Sequence, residues 1–195
     1  MVTDERDRWT LEDITALFDG LFMSRYQTRL VRGDDEPLYR PASQAMPYHQ
    51  VIFARGFYAS ALHEISHWCI AGAKRRELED YGYWYLPDGR NAEQQQAFEQ
   101  AEIAPQALES LFTRACGRVF HVSVDNLGGD VEVDREAFAA KVLARAQRYQ
   151  REGLPLRANA FFEALTAFYQ RNEPLRDAIA QGLDILEQIP ERSSS

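Results

Sequence analysis

The sequence contains only two cysteines in 195 residues. Cys69 and Cys116 lie far apart, and one pair of thiols can build neither a multiple-disulfide scaffold nor a four-thiolate zinc site. These two classes of small, cross-linked domain are therefore excluded. We expect both cysteines to be reduced and to be buried as small apolar residues.

Long apolar runs and an excess of positive charge are also absent. No stretch of about 18 uncharged apolar residues occurs, and the N-terminus is charged where a secretory signal would be apolar. The formal net charge is −8, which argues against a general basic face for nucleic acid. We therefore expect a soluble cytoplasmic protein that binds neither a membrane nor nucleic acid.

The sequence does contain one motif with the spacing of a metal site, His63-Glu64-Ile65-Ser66-His67. A helix turns once in about 3.6 residues, so His63 and His67 project from the same face, one turn apart. With four histidines in the chain, random placement gives roughly 0.007 expected copies of this motif. The alternative is a pair of core histidines bonded to carbonyls or carboxylates. The motif favours a metal site over that alternative.

A metal bound by two histidines needs at least one further protein ligand. A carboxylate from a separate helix is a common third ligand, and Glu102 is the predicted one because it precedes the more apolar part of a later helix. Glu99, one turn earlier on nearly the same face, is the reserve candidate. His49 and His121 are further candidates, although each is better explained as a structural histidine.

Hydrophobic periodicity and helix-breaking residues predict the order of the secondary structure. Thr10 is expected to cap a first helix, and an extended, turning segment follows at about 29–41. The predicted strands are 48–54, 81–86 and 119–124. The remaining predicted helices are 56–71, one from Asn91 through Glu102 that Pro105 either kinks or ends, 134–151, 157–171 and 174–188.

These elements predict an α+β fold that is predominantly helical, with a metallopeptidase-like core in which a small sheet lies next to the motif helix. The length, with 45% hydrophobic residues, predicts a single domain over residues 1–195. The two ends, about 1–8 and 190–195, have little to bury and are expected to be disordered tails.

The residues alone leave three functions open. A zinc peptidase would use Glu64 as the general base that activates a metal-bound water. An iron(II) oxygenase would keep open metal positions for dioxygen and substrate. A protein that only binds a partner and keeps a structural metal is the third possibility, and a site closed by four protein ligands would favour it.

Several blocks of the sequence carry a family resemblance. They are residues 32–37 (RGDDEP), 56–72 (GFYASALHEISHWCIAG), 82–85 (GYWY), 87–90 (PDGR), 105–108 (PQAL) and 125–127 (DNL). Over about residues 10–170 the chain resembles the bacterial elongation factor P hydroxylase family. The resemblance implies hydroxylation of the β-lysylated lysine of elongation factor P, which is a post-translational modification of a translation factor.

The resemblance also implies a non-haem metal site of two histidines and one carboxylate. His63 and His67 take the histidine positions, and Glu102 takes the carboxylate position. The implied metal is iron(II), with zinc possible in the purified protein, and dioxygen is the implied co-substrate. Glu64, a general base in peptidases, would instead orient a ligand or a metal-bound water.

The charged and aromatic residues can be explained structurally, as a solvated turn, core packing and charges that complement a helix end. If the substrate is a long cationic side chain, the same residues could also bind it or its protein. Charge pairing and cation–π contact would line its channel. The predicted channel residues are Asp34, Asp35, Glu36, Tyr83 and Tyr85. Elongation factor P is acidic, so a basic patch is expected to dock its body. The predicted docking residues are Lys74, Arg75 and Arg76.

Overall fold

The computed structural model describes residues 10–80, 88–129 and 131–188. Its helices are α1 (Leu11–Tyr26), α2 (Tyr58–Ile70), α3 (Ala92–Ala115), α4 (Arg135–Glu152), α5 (Leu156–Leu165) and α6 (Leu175–Gln188). Its strands are β1 (Thr28–Arg32), β2 (Leu38–Arg40) and β3 (His49–Phe53). A 3₁₀ turn at Arg75–Glu77 and a π-helical turn at Thr166–Gln170 complete the regular structure. The predicted α+β class with predominant helix and a small sheet is confirmed.

Helix α1 forms one wall of the main core. Its N-cap is Thr10, as predicted, and the Thr10 side chain accepts a hydrogen bond from the Asp13 amide. Apolar residues at helical spacing then fall on one face, and each is fully buried. These residues are Ile14, Leu17, Phe18, Leu21 and Phe22. The Phe18 ring contacts Trp68 of α2 and Phe161 of α5, and the Phe22 ring also contacts Trp68, so α1 supports the motif helix from behind.

The sheet has the strand order β1-β3-β2, with β1 parallel and β2 antiparallel to β3. The central strand leads directly into α2 through Gly56, whose φ of +72° is in the region that favours glycine. A Cβ at this glycine would lie 2.6 Å from the Arg32 guanidinium carbon. The small sheet therefore lies next to the motif helix and sets where that helix begins.

Helix α3 is a single helix that continues through Pro105. Asn91 caps it as predicted, in a reciprocal capping box with Gln94. Proline cannot donate to the carbonyl four residues earlier, which here is that of Ala101. The helix nevertheless persists because its second half is buried against α2 and α5 on apolar residues such as Leu108 and Phe112.

The strand predicted at 119–124 is wrong, because this segment is irregular and pairs with side chains instead of with a strand. The Gln106 amide binds both the N–H and the carbonyl of Ser123, and Gln95 donates to the Val124 carbonyl. Arg135 donates to the Val122 carbonyl. Polar side chains of α3 and α4 therefore provide the hydrogen bonds that a neighbouring strand would provide.

The three C-terminal helices lie where they were predicted, with the segment predicted at 157–171 divided between α5 and the π-helical turn. Both cysteines are free and buried, as expected. In the described part of the chain, every helix is too short or too polar to cross a membrane. The predicted strand at 81–86 and the predicted tails at 1–8 and 190–195 lie outside the described residues.

Candidate metal centre

The candidate centre lies between α2 and α3. Helix α2 presents His63 and His67 one turn apart, with ring centroids 4.8 Å from each other. Helix α3 presents Glu102 from the opposite side, with its side chain 1% exposed. One ligand atom from each of these three residues lies within 4.8 Å of the other two, and the group could hold a metal ion.

The distances between donor atoms suit a small divalent cation. The His67 Nε2 atom lies 2.9 Å from Glu102 Oε1, and the His63 Nε2 atom lies 3.7 Å from Glu102 Oε2. Ligands at the usual bond length of about 2.1 Å stand about 3.0 to 3.4 Å apart around a tetrahedral or octahedral ion. The three residues therefore fit a metal ion with only small side-chain adjustments.

Glu109 bonds to the far side of the His63 ring. Its Oε2 atom lies 2.8 Å from His63 Nδ1, and the Glu109 side chain is largely buried. A carboxylate at Nδ1 keeps the proton on that nitrogen, which leaves the Nε2 lone pair directed at the metal position. The sequence analysis missed Glu109, although its position seven residues after Glu102 places both on one face of α3.

Gln106 orients the carboxylate of Glu102. Its Nε2 atom donates to Glu102 Oε2 at 3.0 Å and to the Ser123 carbonyl at 2.7 Å, and its Oε1 atom accepts from the Ser123 amide at 2.9 Å. The two bonds to Ser123 fix which end of the amide is the donor. Glu102, Gln106 and Glu109 therefore form one polar face of α3 inside an apolar setting.

The electrostatics of the cluster follow from burial and close opposite charges. Burial lowers the pKa of His63, but the Glu109 bond and the charges of Glu109, Glu102 and Glu64 outweigh it and raise that pKa to about 10. Burial raises the pKa of Glu102, but the two histidines and the Gln106 bond bring it below its ordinary value. In the metal-free cluster, protonated His63 is thus paired with carboxylates, and a bound cation would take the place of the proton on its Nε2 atom.

Glu64 lies outside the three-residue group. It is buried, and this burial, together with the charges of Glu102 and Glu109, raises its pKa although both histidines oppose the change. With His67 it lines a cavity of about 190 Å³ that has an apolar wall of Leu38, Val51, Trp68, Ile70 and Pro105. A reactant in this cavity would lie beside the metal position.

The predicted basic patch of Lys74, Arg75 and Arg76 lies partly on the surface and partly at this cavity. Lys74 and Arg75 are exposed, Arg76 is half-buried, and both arginines line the cavity. The Arg75 Nε atom lies 2.9 Å from Asp80 Oδ2, and the Arg76 guanidinium lies over the Tyr26 ring at 5.6 Å. The basic residues therefore reach the entrance of the candidate centre.

The predicted acidic turn is exposed and does not line this cavity among the described residues. Its middle residue, Asp35, lies 2.7 Å from the Arg55 Nε atom in an exposed ion pair. Tyr83 and Tyr85 lie outside the described residues.

Among the described residues, the alternative ligands stay outside the metal-capable group. Glu99 is half-buried one turn before Glu102. His49 accepts a hydrogen bond from the Ala42 amide at its Nδ1 atom and stacks on Tyr39, and His121 is exposed beside a different cavity. Both histidines are thus accounted for without a metal.

Comparison with known proteins identifies the family of this chain. A family model described as elongation factor P hydroxylase matches residues 17–179. A relative from Haemophilus influenzae, named elongation factor P lysine hydroxylase, is 49% identical over 165 residues. The match covers 85% of this chain and 92% of the relative. The chain therefore belongs to the elongation factor P hydroxylase family.

Proposed function

We propose that this protein hydroxylates a lysine of elongation factor P, and that the modified residue is the β-lysylated lysine. The Haemophilus relative is named for hydroxylation of a lysine in this factor, and most of both chains align. The observation that carries the proposal is the group of His63, His67 and Glu102 beside a cavity, in a chain of this family. Action on a translation factor also supports a cytoplasmic location.

The metal we propose is iron(II), held by His63, His67 and Glu102. Two histidines and one carboxylate with open positions are typical of non-haem iron oxygenases, where the ion brings dioxygen and substrate together. In this chain, Glu109 fixes the tautomer of His63, and Gln106 fixes the carboxylate of Glu102. The apolar wall of the cavity would exclude water from the reacting side chain.

Glu64 has a different role here from the one it has in peptidases. Burial raises its pKa, and the group lines the cavity beside His67, where its carboxyl oxygens can hydrogen-bond to a reactant. We propose that it orients a reactant at the metal end of the cavity. Lys74, Arg75 and Arg76 remain the proposed contacts for the acidic body of elongation factor P. The proposed contacts for the cationic substrate chain remain Asp34, Asp35, Glu36, Tyr83 and Tyr85.

The other two functions have less support. Neither comparison names a peptidase, and the metallopeptidase-like core stays a prediction. The described residues bring three metal-capable side chains together, whereas a closed structural site would use four. A peptidase would nevertheless contain zinc and would cleave a substrate in a reaction that Glu64→Gln abolishes.

The proposal is tested with β-lysylated elongation factor P, iron(II), a reductant and air. We expect the wild-type protein to add the mass of one oxygen atom to the modified lysine. His63→Ala and Glu102→Ala should abolish the gain, while Glu99→Ala should keep it. No gain with the wild-type protein under these conditions would overturn the proposed function.

A further inference from the structure

The cavity beside His67 has the shape and chemistry of a site for an aliphatic amine. One wall is apolar and suits a methylene chain, and Glu64 and His67 lie at the metal end. Among the described residues that line the cavity, Glu64 and Asp80 carry carboxyl groups. A side chain that runs along the apolar wall could place a terminal ammonium group at the Asp80 carboxylate.

Asp80 is held in place by the backbone. Its amide donates to the Tyr39 carbonyl at 3.0 Å, and its own carbonyl accepts from the Tyr39 amide at 2.6 Å. This bridge ties the backbone of Asp80 to strand β2, and the residue lines the cavity. The carboxylate pairs with Arg75, and the side chains of Asp80 and Arg75 are 18% and 46% exposed.

We propose that Asp80 binds the ammonium group of the substrate side chain, and that Arg75 is the counterion that the substrate displaces. This inference rests on the proposed function for the identity of the substrate. A cationic ligand can replace Arg75 because the arginine lies at the solvent side of the pair. The exchange keeps the carboxylate paired, so it avoids the cost of an uncompensated charge in the cavity.

The cavity also contains a second cation. The Arg76 guanidinium lines it, lies 5.6 Å from the centre of the Tyr26 ring, and has a buried Nη1 atom without a hydrogen-bond partner among the described residues. An ammonium group in this cavity therefore has to bind on the Asp80 side, away from Arg76. The acidic turn offers carboxylates as well, but it is exposed, and Asp35 already pairs with Arg55 outside the cavity. Asp80 is therefore the carboxylate best placed for a ligand that also reaches the metal position.

The test is a binding measurement, so that it does not depend on turnover. Titration calorimetry without oxygen compares β-lysylated with unmodified elongation factor P on the wild-type protein, Asp80→Asn, Arg75→Gln and Glu79→Gln. Glu79 is the matched control, because it precedes Asp80 and pairs with Arg40 outside the cavity. Circular dichroism and metal content establish that each variant is folded.

We expect the wild-type protein to prefer the β-lysylated form. Asp80→Asn should lower this preference by about tenfold to a hundredfold, the usual effect of a lost charge-assisted hydrogen bond. Glu79→Gln should keep the preference. Arg75→Gln removes the cation that competes for Asp80, so its preference for the β-lysylated form should be at least as large as that of the wild-type protein.

Three results would overturn the inference. The wild-type protein could show no preference for the β-lysylated form, or Asp80→Asn could leave the preference unchanged. Arg75→Gln could also lower the preference as much as Asp80→Asn does, which would mark the pair as structural. Failure of the proposed function gives a different result. The wild-type protein then adds no oxygen in the hydroxylation assay, while calorimetry on Asp80→Asn still shows whether this cavity binds the amine.

Discussion

At the scale of single residues, the site depends on which nitrogen of His63 faces the metal. The Glu109 carboxylate lies 2.8 Å from Nδ1, which leaves Nε2 toward Glu102 and the metal position. A buried carboxylate behind a ligand histidine also makes that histidine a stronger donor to the metal. Glu109 would thus act on a bound metal through His63.

The first prediction concerns this carboxylate. Glu109→Gln keeps the size of the side chain but removes its charge, so the metal affinity should fall by about tenfold to a hundredfold. Titration calorimetry with Co²⁺ or Zn²⁺ without oxygen measures the change. Glu99→Gln on the same helix is the control and should bind the metal as the wild-type protein does. Unchanged affinity in Glu109→Gln would contradict a positioning role.

The sequence was enough to find His63 and His67, because the spacing of one helical turn is a local property. Glu102 could be proposed from its helix, although nothing local distinguished it from Glu99. Glu109 could not be found in this way, since its partner lies on another helix and the pair forms only when α2 and α3 pack.

At the scale of elements, the end of the motif helix is held by a residue from α5. The Arg157 guanidinium donates to the Trp68 and Ala71 carbonyls at 2.6 Å each and lies over the Trp68 ring. Trp68 lies in the last turn of α2 and Ala71 is its C-cap residue, and backbone acceptors at this end lack partners in the helix. Arg157 therefore stabilises the turn that carries His67.

The second prediction follows from this cap. Arg157→Met removes two buried hydrogen bonds from a charged donor and leaves the carbonyls unpaired, so the free energy of unfolding should fall by about 3 kcal/mol. Urea denaturation measures it. Arg148→Met is the control, because Arg148 forms an exposed pair with Glu152. A loss no greater than that of the control would show that the cap contributes little.

Helices were more predictable than the other elements. Thr10 and Asn91 marked two helix starts correctly because capping is a local interaction. The segment 119–124 has the composition of a strand, but its backbone is bound by side chains of α3 and α4, and that arrangement depends on tertiary packing. The course of α3 through Pro105 depends on packing in the same way.

At the scale of the whole molecule, the metal position connects parts of the chain that are distant in sequence. Helix α2 packs on strand β3, α3 and α5, and α3 also packs on α4 and, through Gln106, binds the segment at Ser123. A metal bound between α2 and α3 would join these two helices in the folded state only. Metal binding should therefore raise the stability of the fold.

The third prediction is the size of this effect. A ligand at about a hundred times its Kd adds about 2.7 kcal/mol to the stability, and for a chain of this length that raises Tm by roughly 5 to 10 °C. Differential scanning calorimetry with and without Zn²⁺ measures the shift, and Glu102→Ala should abolish it. An equal shift in Glu102→Ala would indicate that the ion binds elsewhere.

The substrate side of the cavity could not be predicted at this scale from the sequence. The acidic turn at 34–36 was conspicuous as a cluster, but it lies in an exposed turn. Asp80 is a single acidic residue whose position depends on its bridge to Tyr39 in strand β2. Long-range backbone pairing of this kind leaves no periodic pattern in the sequence.

The most direct test of the account is the fate of isotopically heavy dioxygen. β-Lysylated elongation factor P is incubated with the wild-type protein, iron(II), a reductant and heavy dioxygen in ordinary water, and the lysine is analysed by mass spectrometry. The account predicts that the lysine gains one heavy oxygen atom and that His67→Ala prevents the gain. Oxygen from water, cleavage of the chain in place of oxygen gain, or an equal gain in His67→Ala would contradict it.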